Sequence, residues 1–201
     1  MKKTGLIIVL GIFGFLILVG AIALMWGVGI HNTMVDKDEK AVSQWANVET
    51  AYQRRADLIP NLVNTVKGYA EFEQETLTKV IEARSKATSV NIDASNLSPQ
   101  MIGQFQKAQE GLSGALSRLL VTIEKYPDLK ADQRFAELQT ELTNTENKIG
   151  FERKKFNDSV LDYNRYIKKI PKSIVASISG FVEKGYFQAV EGSETAPTVE
   201  F

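Results

Sequence analysis

The sequence predicts an all-α protein, with one amino-terminal transmembrane helix followed by an elongated antiparallel up-down-up helical bundle. Three observations predict it. An uncharged apolar run fills residues 5–30, apolar residues further on recur at steps of three, four and seven in three long segments, and Pro99, Pro127 and Pro171 fall at segment boundaries. The division follows as 1–30 for the anchor, 31–190 for the bundle and 191–201 for a flexible tail.

Residues 5–30 make 26 residues without a charge. As a helix they extend about 39 Å, against about 30 Å for a bilayer hydrocarbon core. A cleaved signal is the competing reading, because Lys2 and Lys3 form a positive start and Ala21-Ile22-Ala23 has the small-x-small form of a cleavage site. The apolar run continues through Leu24, Met25, Trp26 and Val28, which favours an uncleaved anchor. Lys2 and Lys3 precede the run and Lys37 and Lys40 follow at a distance, so the charge bias places the amino end in the cytoplasm and the body outside it. The reversed topology stays open. Ala23 and Gly27, four apart with Gly20 nearby, form a small-residue stripe along which membrane helices can approach closely; the plainer reading is that glycine is common in such helices.

Beyond the polar stretch 36–40, Val42, Trp45, Val48, Tyr52, Ile59, Leu62, Val66 and Tyr69, then Leu77, Val80 and Ile81, trace one helical face. Pro60 lacks an N–H and disfavours helical geometry at Ile59, but the face keeps its phase across it, so a kinked continuous helix is expected. Residues 85–98 lack a period. Ser98-Pro99 then sets a capping oxygen before a proline suited to the first helical position. The second helix carries Met101, Ile102, Phe105, Ala108, Leu112, Ala115, Leu119, Ile123 and Tyr126 and stops at Pro127. In the third, Phe135, Leu138, Leu142, Thr145, Ile149, Glu152, Phe156, Ser159, Tyr163, Tyr166 and Ile170 alternate by three and four, the pattern of a coiled-coil seam in which Thr145, Glu152 and Ser159 would set register. The short Pro127-Asp128 turn makes the second and third helices antiparallel neighbours. After Pro171 a short helix is expected over Ile174, Val175 and Ile178, and Gly180, Gly185 and Gly192 then loosen the chain into the tail.

Composition narrows the chemistry. There is no cysteine and one histidine, so disulfides, thiolate sites and multi-histidine metal centres are excluded. Lys+Arg and Asp+Glu are both 24; without Lys2 and Lys3 the balance is 22 against 24, which gives no electrostatic footprint for nucleic acid. No phosphate-binding glycine loop or serine elbow occurs. Glu71, Glu73 and Glu75 alternate and would point to different sides of a helix, and Glu82 with Arg84, or Asp162 with Arg165, read as surface ion pairs. His31 reads as an interfacial residue where the span ends. No catalytic, metal-binding or cofactor-binding residue is assigned, and no cofactor is expected.

Arg54, Arg55, Asp57, Asn61 and Asn64 stand amid an apolar face and need partners, which the third helix would supply from Asn157, Asp158, Tyr163, Asn164, Arg165 and Tyr166. Two readings are open: a hydrogen-bond network that fixes helix register, or a contact between subunits. As an oligomer interface the candidates are Ala23, Gly27, Arg54, Arg55, Asn61, Asn64, Tyr163, Asn164 and Tyr166.

With these residues in view, the sequence is similar to the LemA family. Residues 52–84 (YQRRADLIPNLVNTVKGYAEFEQETLTKVIEAR) resemble its most characteristic motif and residues 157–176 (NDSVLDYNRYIKKIPKSIVA) its second, and EKGYFQA and the terminal PTVEF match too. His31-Asn32 stands where the family usually has Tyr-Asn. The resemblance implies a membrane-tethered antiparallel helical bundle, and the family offers no catalytic residues to transfer. The readings combine into a single-pass protein of the bacterial inner membrane with its bundle on the periplasmic side. Its expected partners are membrane lipid, further copies of itself in a homo-oligomer and an envelope membrane protein. The expected function is a non-enzymatic scaffold that organises or remodels the membrane; the alternative is an adaptor or sensor for an envelope protease, kinase or transporter.

Overall fold

The computed structural model describes residues 2–69 and 73–189. Among the described residues six helices follow one another: α1 (Lys2–Lys67), α2 (Gln74–Ser89), α3 (Pro99–Ile123), α4 (Pro127–Lys130), α5 (Gln133–Lys168) and α6 (Lys172–Ser179). Among the described residues there is no strand. The chain divides into two units, Met1–Lys40 with Asp162–Val182, and Ala41–Leu161 with Glu183–Phe201. The expected tail, 191–201, lies outside the described residues, as do Glu71 and Phe72.

The larger unit differs from expectation in one respect. The apolar face read as a single helix from Val42 to Ile81 is broken at Gly68 and Tyr69, and α2 folds back along α1. Folding back brings Leu77, Val80 and Ala87 against Ile59, Leu62 and Val66, with Leu112, Leu119 and Phe135 completing the cluster. A straight helix would have carried Leu77 and Val80 past the end of α3 and left them wet. The result is four legs, up, down, up and down, where three were expected. Contacts at both ends fix the directions: Trp45 and Tyr52 touch Phe105, Arg84 reaches Ala56, and Tyr69 meets Asp132 at the start of α5.

Pro60 does not break α1. A proline has no N–H for the carbonyl four residues earlier, and here that carbonyl, Ala56 O, accepts from Arg84 Nε at 2.7 Å. At the start of α3 the capping chemistry is as expected. Ser98 Oγ accepts from Met101 N at 3.5 Å with Pro99 in the first turn. Asp132 Oδ1 accepts from Phe135 N at 2.9 Å and opens α5.

The α5 seam is buried from Phe135 through Ser159, with Leu138 half-buried. Its polar members do not set register between helices. Ser159 Oγ donates to Lys155 O on its own helix, Glu152 pairs with Lys148 one turn away at 2.8 Å, and Thr145 Oγ1 and Glu152 Oε2 make no hydrogen bond.

Residues 183–189 form an extended strap rather than a loosened tail. Phe187 enters an aromatic cluster with Trp45, Phe105 and Phe156 at centroid distances of 5.6–6.4 Å. Gly185 N donates to Leu97 O at 2.8 Å, and a Cβ at Gly185 would stand 2.6 Å from Pro99 Cα, so only glycine fits this close approach.

The smaller unit packs Ile30 and Met34 against Tyr163, Ile167 and Ala176. Ile170, the last seam position expected on the third helix, is 86% exposed. α6 ends on Gly180 at φ 77°, with Phe181 N donating to Ala176 O at 3.0 Å, a left-handed stop that glycine alone adopts freely.

Candidate functional site

The span is the first element of the site. Its described side chains between Ile7 and Val28 are exposed, apart from half-buried Gly27. It belongs to a helix long and apolar enough to cross a membrane, among the described residues the one that is. Ala23 is exposed, and a Cβ at Gly20 or Gly27 would meet nothing within 4 Å, so the small-residue stripe faces open space.

The second element is a buried polar network at the middle of the bundle. Arg55, 2% exposed, projects from α1 between α3 and α5. Its Nη1 donates to Ser113 Oγ at 2.8 Å and Glu146 Oε2 at 2.9 Å, and its Nη2 donates to Gln109 Oε1 at 2.7 Å and Gln109 O at 3.3 Å. Gln109 Nε2 in turn donates to Ala87 O at 3.2 Å, which draws in the end of α2. The guanidinium lies 5.1 Å from the Tyr52 ring centroid. Burial raises the Tyr52 hydroxyl pKa, against the pull of Arg153 and Arg55. One long donor fork thus holds α3 and α5 directly and α2 through Gln109, and Arg55 is inside the chain rather than on a face open to another subunit.

The partners expected for this region lie elsewhere. Arg54 pairs with Glu141 at 2.8 Å, an exposed pair on the same two helices, and Asp57 accepts from Gln53 at 2.8 Å. Asn61 and Asn64 are exposed. The antiparallel run of α1 and α5 brings residues 54–55 opposite 141–146, about three turns or more before the stretch 157–166, so the expected pairing is displaced along the helix. Asn157 serves the strap: its Nδ2 donates to Phe187 O at 2.8 Å and its Oδ1 accepts from Phe187 N at 2.9 Å. Gln106 does the same one residue on, accepting from Gln188 N at 2.9 Å and donating to Gln188 O at 3.1 Å, while Arg153 donates to Gln188 O at 2.9 Å. Gln106, Gln109 and Ser113 had been passed over. Their signal was glutamines three apart beside the apolar face of α3, a place where an amide is buried only with a partner.

The third element belongs to the smaller unit. Tyr163 is buried and donates to Val182 O at 2.9 Å; burial and then the charge of Asp38 push its hydroxyl pKa well up. Asn164 is also buried, so both sit inside this unit and not on its outer face. Tyr166 is half-buried between two ammonium groups, Lys172 at 3.9 Å and Lys37 at 5.6 Å from its ring centroid. His31 Nδ1 lies 3.2 Å from Ser179 Oγ, and its ring is 5.4 Å from that of Phe181.

An open groove of about 730 Å³ runs between α2 and α3, lined by Lys79, Ala83, Gly111, Gly114, Arg118 and Val121. Glu75 is exposed and bonded to Lys79 at 2.5 Å, which lowers its pKa. Arg84, expected on a surface pair with Glu82, is the donor to Ala56 described above. Among the described residues no three His, Asp or Glu side chains gather as a metal site.

The LemA family profile matches residues 44–201. Among curated proteins the chain is similar to magnetosome protein MamQ of Magnetospirillum gryphiswaldense, 27% identical over 82% of this chain and 67% of the relative. MamQ 1 of Paramagnetospirillum magneticum is 26% identical over the same shares, and protein LemA of Metamycoplasma hominis is 27% identical over 88% of this chain and 77% of its own length. None of these names is that of an enzyme. The span and the relatives are consistent with a membrane-associated protein. With the profile covering the bundle, the strap and the terminal PTVEF, the chain belongs to the LemA family.

Proposed function

We propose that this protein is a non-enzymatic, membrane-anchored helical scaffold that self-associates at the membrane and organises or remodels it. The observation that carries the reading is the charge-free run of 5–30, whose described side chains from Ile7 to Val28 stand exposed apart from half-buried Gly27, an apolar surface with no use in water. The polar interior of the bundle supports the non-enzymatic part: Arg55 is consumed by structural bonds to Gln109, Ser113 and Glu146. Self-association rests on the open stripe at Gly20, Ala23 and Gly27, where a neighbouring span can approach closely. Lys2 and Lys3 ahead of the span favour a cytoplasmic amino end, with the bundle on the periplasmic face of the inner membrane.

The test is the mass of the assembly in nanodiscs, for the full chain and for a chain starting at Asn32. A discrete assembly that is lost on truncation, and weakened by Ala23→Leu with Gly27→Leu, supports the scaffold. Isolated full-length bundles at high surface density would overturn it.

A second reading, an adaptor or sensor that presents a helical face to an envelope protease, kinase or transporter, draws on the open groove between α2 and α3. Crosslinking in native membranes separates the two. A stoichiometric adduct with a different protein and no self-adduct selects the adaptor.

A further inference from the structure

We infer that α6 and its flanks form a second membrane contact, a short interfacial helix lying on the lipid surface beside the span. The inference rests on the reading of 5–30 as a membrane segment.

The first observation is a row of uncovered aliphatic side chains. Ile174 and Ile178, four apart on one face of α6, are 59% and 82% exposed, and Ile170 and Val182, just outside its two ends, are 86% and 70% exposed. The opposite side of α6 is already occupied, since Val175 and Ala176 pack on the cluster of Ile30, Met34, Tyr163 and Ile167. A helix that is apolar on its packed side and again on its open side is built for two apolar surroundings. The protein supplies only one of them.

The second observation is its level along the span. Ser179 Oγ lies 3.2 Å from His31 Nδ1, and Phe181 stacks at an angle on the same ring, 5.4 Å away. His31 directly follows the charge-free run. That run, 26 residues or about 39 Å, exceeds the hydrocarbon core by about 9 Å, so its end lies in the headgroup layer. Amphipathic interfacial helices sink about 5–10 Å at that depth. The spanning segment therefore delivers α6 to the boundary where its isoleucines meet acyl chains.

The third observation is charge. Residues 163–182 contain Arg165, Lys168, Lys169 and Lys172 and no acidic residue. Ammonium groups flanking an aliphatic row match anionic phosphates above acyl chains, with the lysine stems lying along the apolar layer. Tyr166, held between Lys37 and Lys172, is the aromatic residue such a boundary favours. A second copy of this segment, equally basic, would be repelled from the same face.

The chain contains no cysteine, so single cysteines can be introduced without removing native ones. Ile174→Cys and Ile178→Cys are labelled with nitrobenzoxadiazole in the full-length protein, reconstituted into vesicles of equal parts phosphatidylcholine and phosphatidylglycerol. Leu16→Cys reports on the span, and Val121→Cys, at an exposed apolar position on α3, is the water-facing control. Expected is blue-shifted emission at positions 174 and 178, quenched several-fold more by nitroxide placed shallow on the acyl chain than by nitroxide placed deep. Leu16 should show the deep preference and Val121 neither. If Leu16 is quenched while positions 174 and 178 behave like Val121, the α6 contact is overturned and the span stands. If Leu16 is also unquenched, the membrane reading fails, and this inference fails with it. Blue-shifted but unquenched labels at 174 and 178, together with disulfide dimers formed by the same variants left unlabelled and oxidised in the vesicles, overturn the inference in favour of a second copy.

Discussion

Arg84 donates its Nε to the carbonyl of Ala56 at 2.7 Å, and Ala56 O is the group that Pro60 leaves without a partner in its own helix. The cost of a proline inside α1 is thereby met from α2, and the same bond fixes the register of the α1–α2 hairpin. Arg84→Ala should destabilise the protein by about 1–2 kcal/mol, as expected when a buried acceptor loses its donor. Pro60→Ala restores the N–H, so Arg84→Ala made on that background should cost about 1 kcal/mol less. A double-mutant cycle read by thermal unfolding in micelles measures the difference. Additive losses would show that the two residues act separately.

Arg55 and its acceptors are unequal partners. Arg55 is 2% exposed and Glu146 57%, so the buried fork meets one wet carboxylate and two drier groups on α3. Arg55→Lys keeps the charge but not the fork and should cost about 3 kcal/mol or more, because Gln109 and Ser113 lose their donor inside the bundle. Glu146→Gln should cost under about 1 kcal/mol. Urea unfolding of both variants checks the ranking, and equal losses would contradict it.

The glycines separate by their surroundings. Gly185→Ala places a Cβ 2.6 Å from Pro99 Cα, with backbone on both sides that cannot yield, and should cost about 1–3 kcal/mol. Gly114→Ala, on a helix surface with nothing within 4 Å, should stabilise by about 0.5–1 kcal/mol through helix propensity. Shifts of opposite sign in the thermal midpoint are the expected readout.

Acid and base should act through different residues. The carboxyl of Asp132 is held below the usual range by the Phe135 N–H and then by the Tyr69 hydroxyl. A depressed folded pKa stabilises above the unfolded value, near 4, and that stabilisation fades as pH falls through the folded one. Asp132→Asn should flatten the acid side of the stability profile. Tyr163 is raised by burial and by Asp38, so its contribution is complete below about pH 10 and is lost as pH climbs toward the folded value. Tyr163→Phe should flatten the alkaline side only. Midpoints of thermal unfolding across pH 3–11 test both arms.

Much of this architecture can be read from residue order. The seam of α5 from Phe135 to Ser159 is buried as its three-four spacing requires, and Ser98-Pro99 starts α3. The break after Lys67 was not legible, because Tyr69, Leu77 and Val80 continue the phase of α1 whether or not the chain turns back. Only the shared cluster with Leu112 and Leu119 decides between a long helix and a hairpin. Arg55 is recognisable as needing partners, yet periodicity carries no information on how far two helices slide along each other, so its expected partners fall about three turns or more away. The strap was hidden for a related reason. Its order comes from Asn157 and Gln106, amides 30 and 82 residues from the backbone groups they hold.

That strap also sets an order of events. Phe187 fills a slot formed by Trp45, Phe105 and Phe156, and Asn157 holds it with a pair of bonds that mimics a sheet ladder. During synthesis the apolar helix of residues 5–30 emerges well before the strap. Until residue 187 has left the ribosome, the slot is an apolar opening between helices already made. The bundle therefore closes only after that helix has emerged, and a chain cut before Phe187, however complete its helices, leaves that opening unsealed.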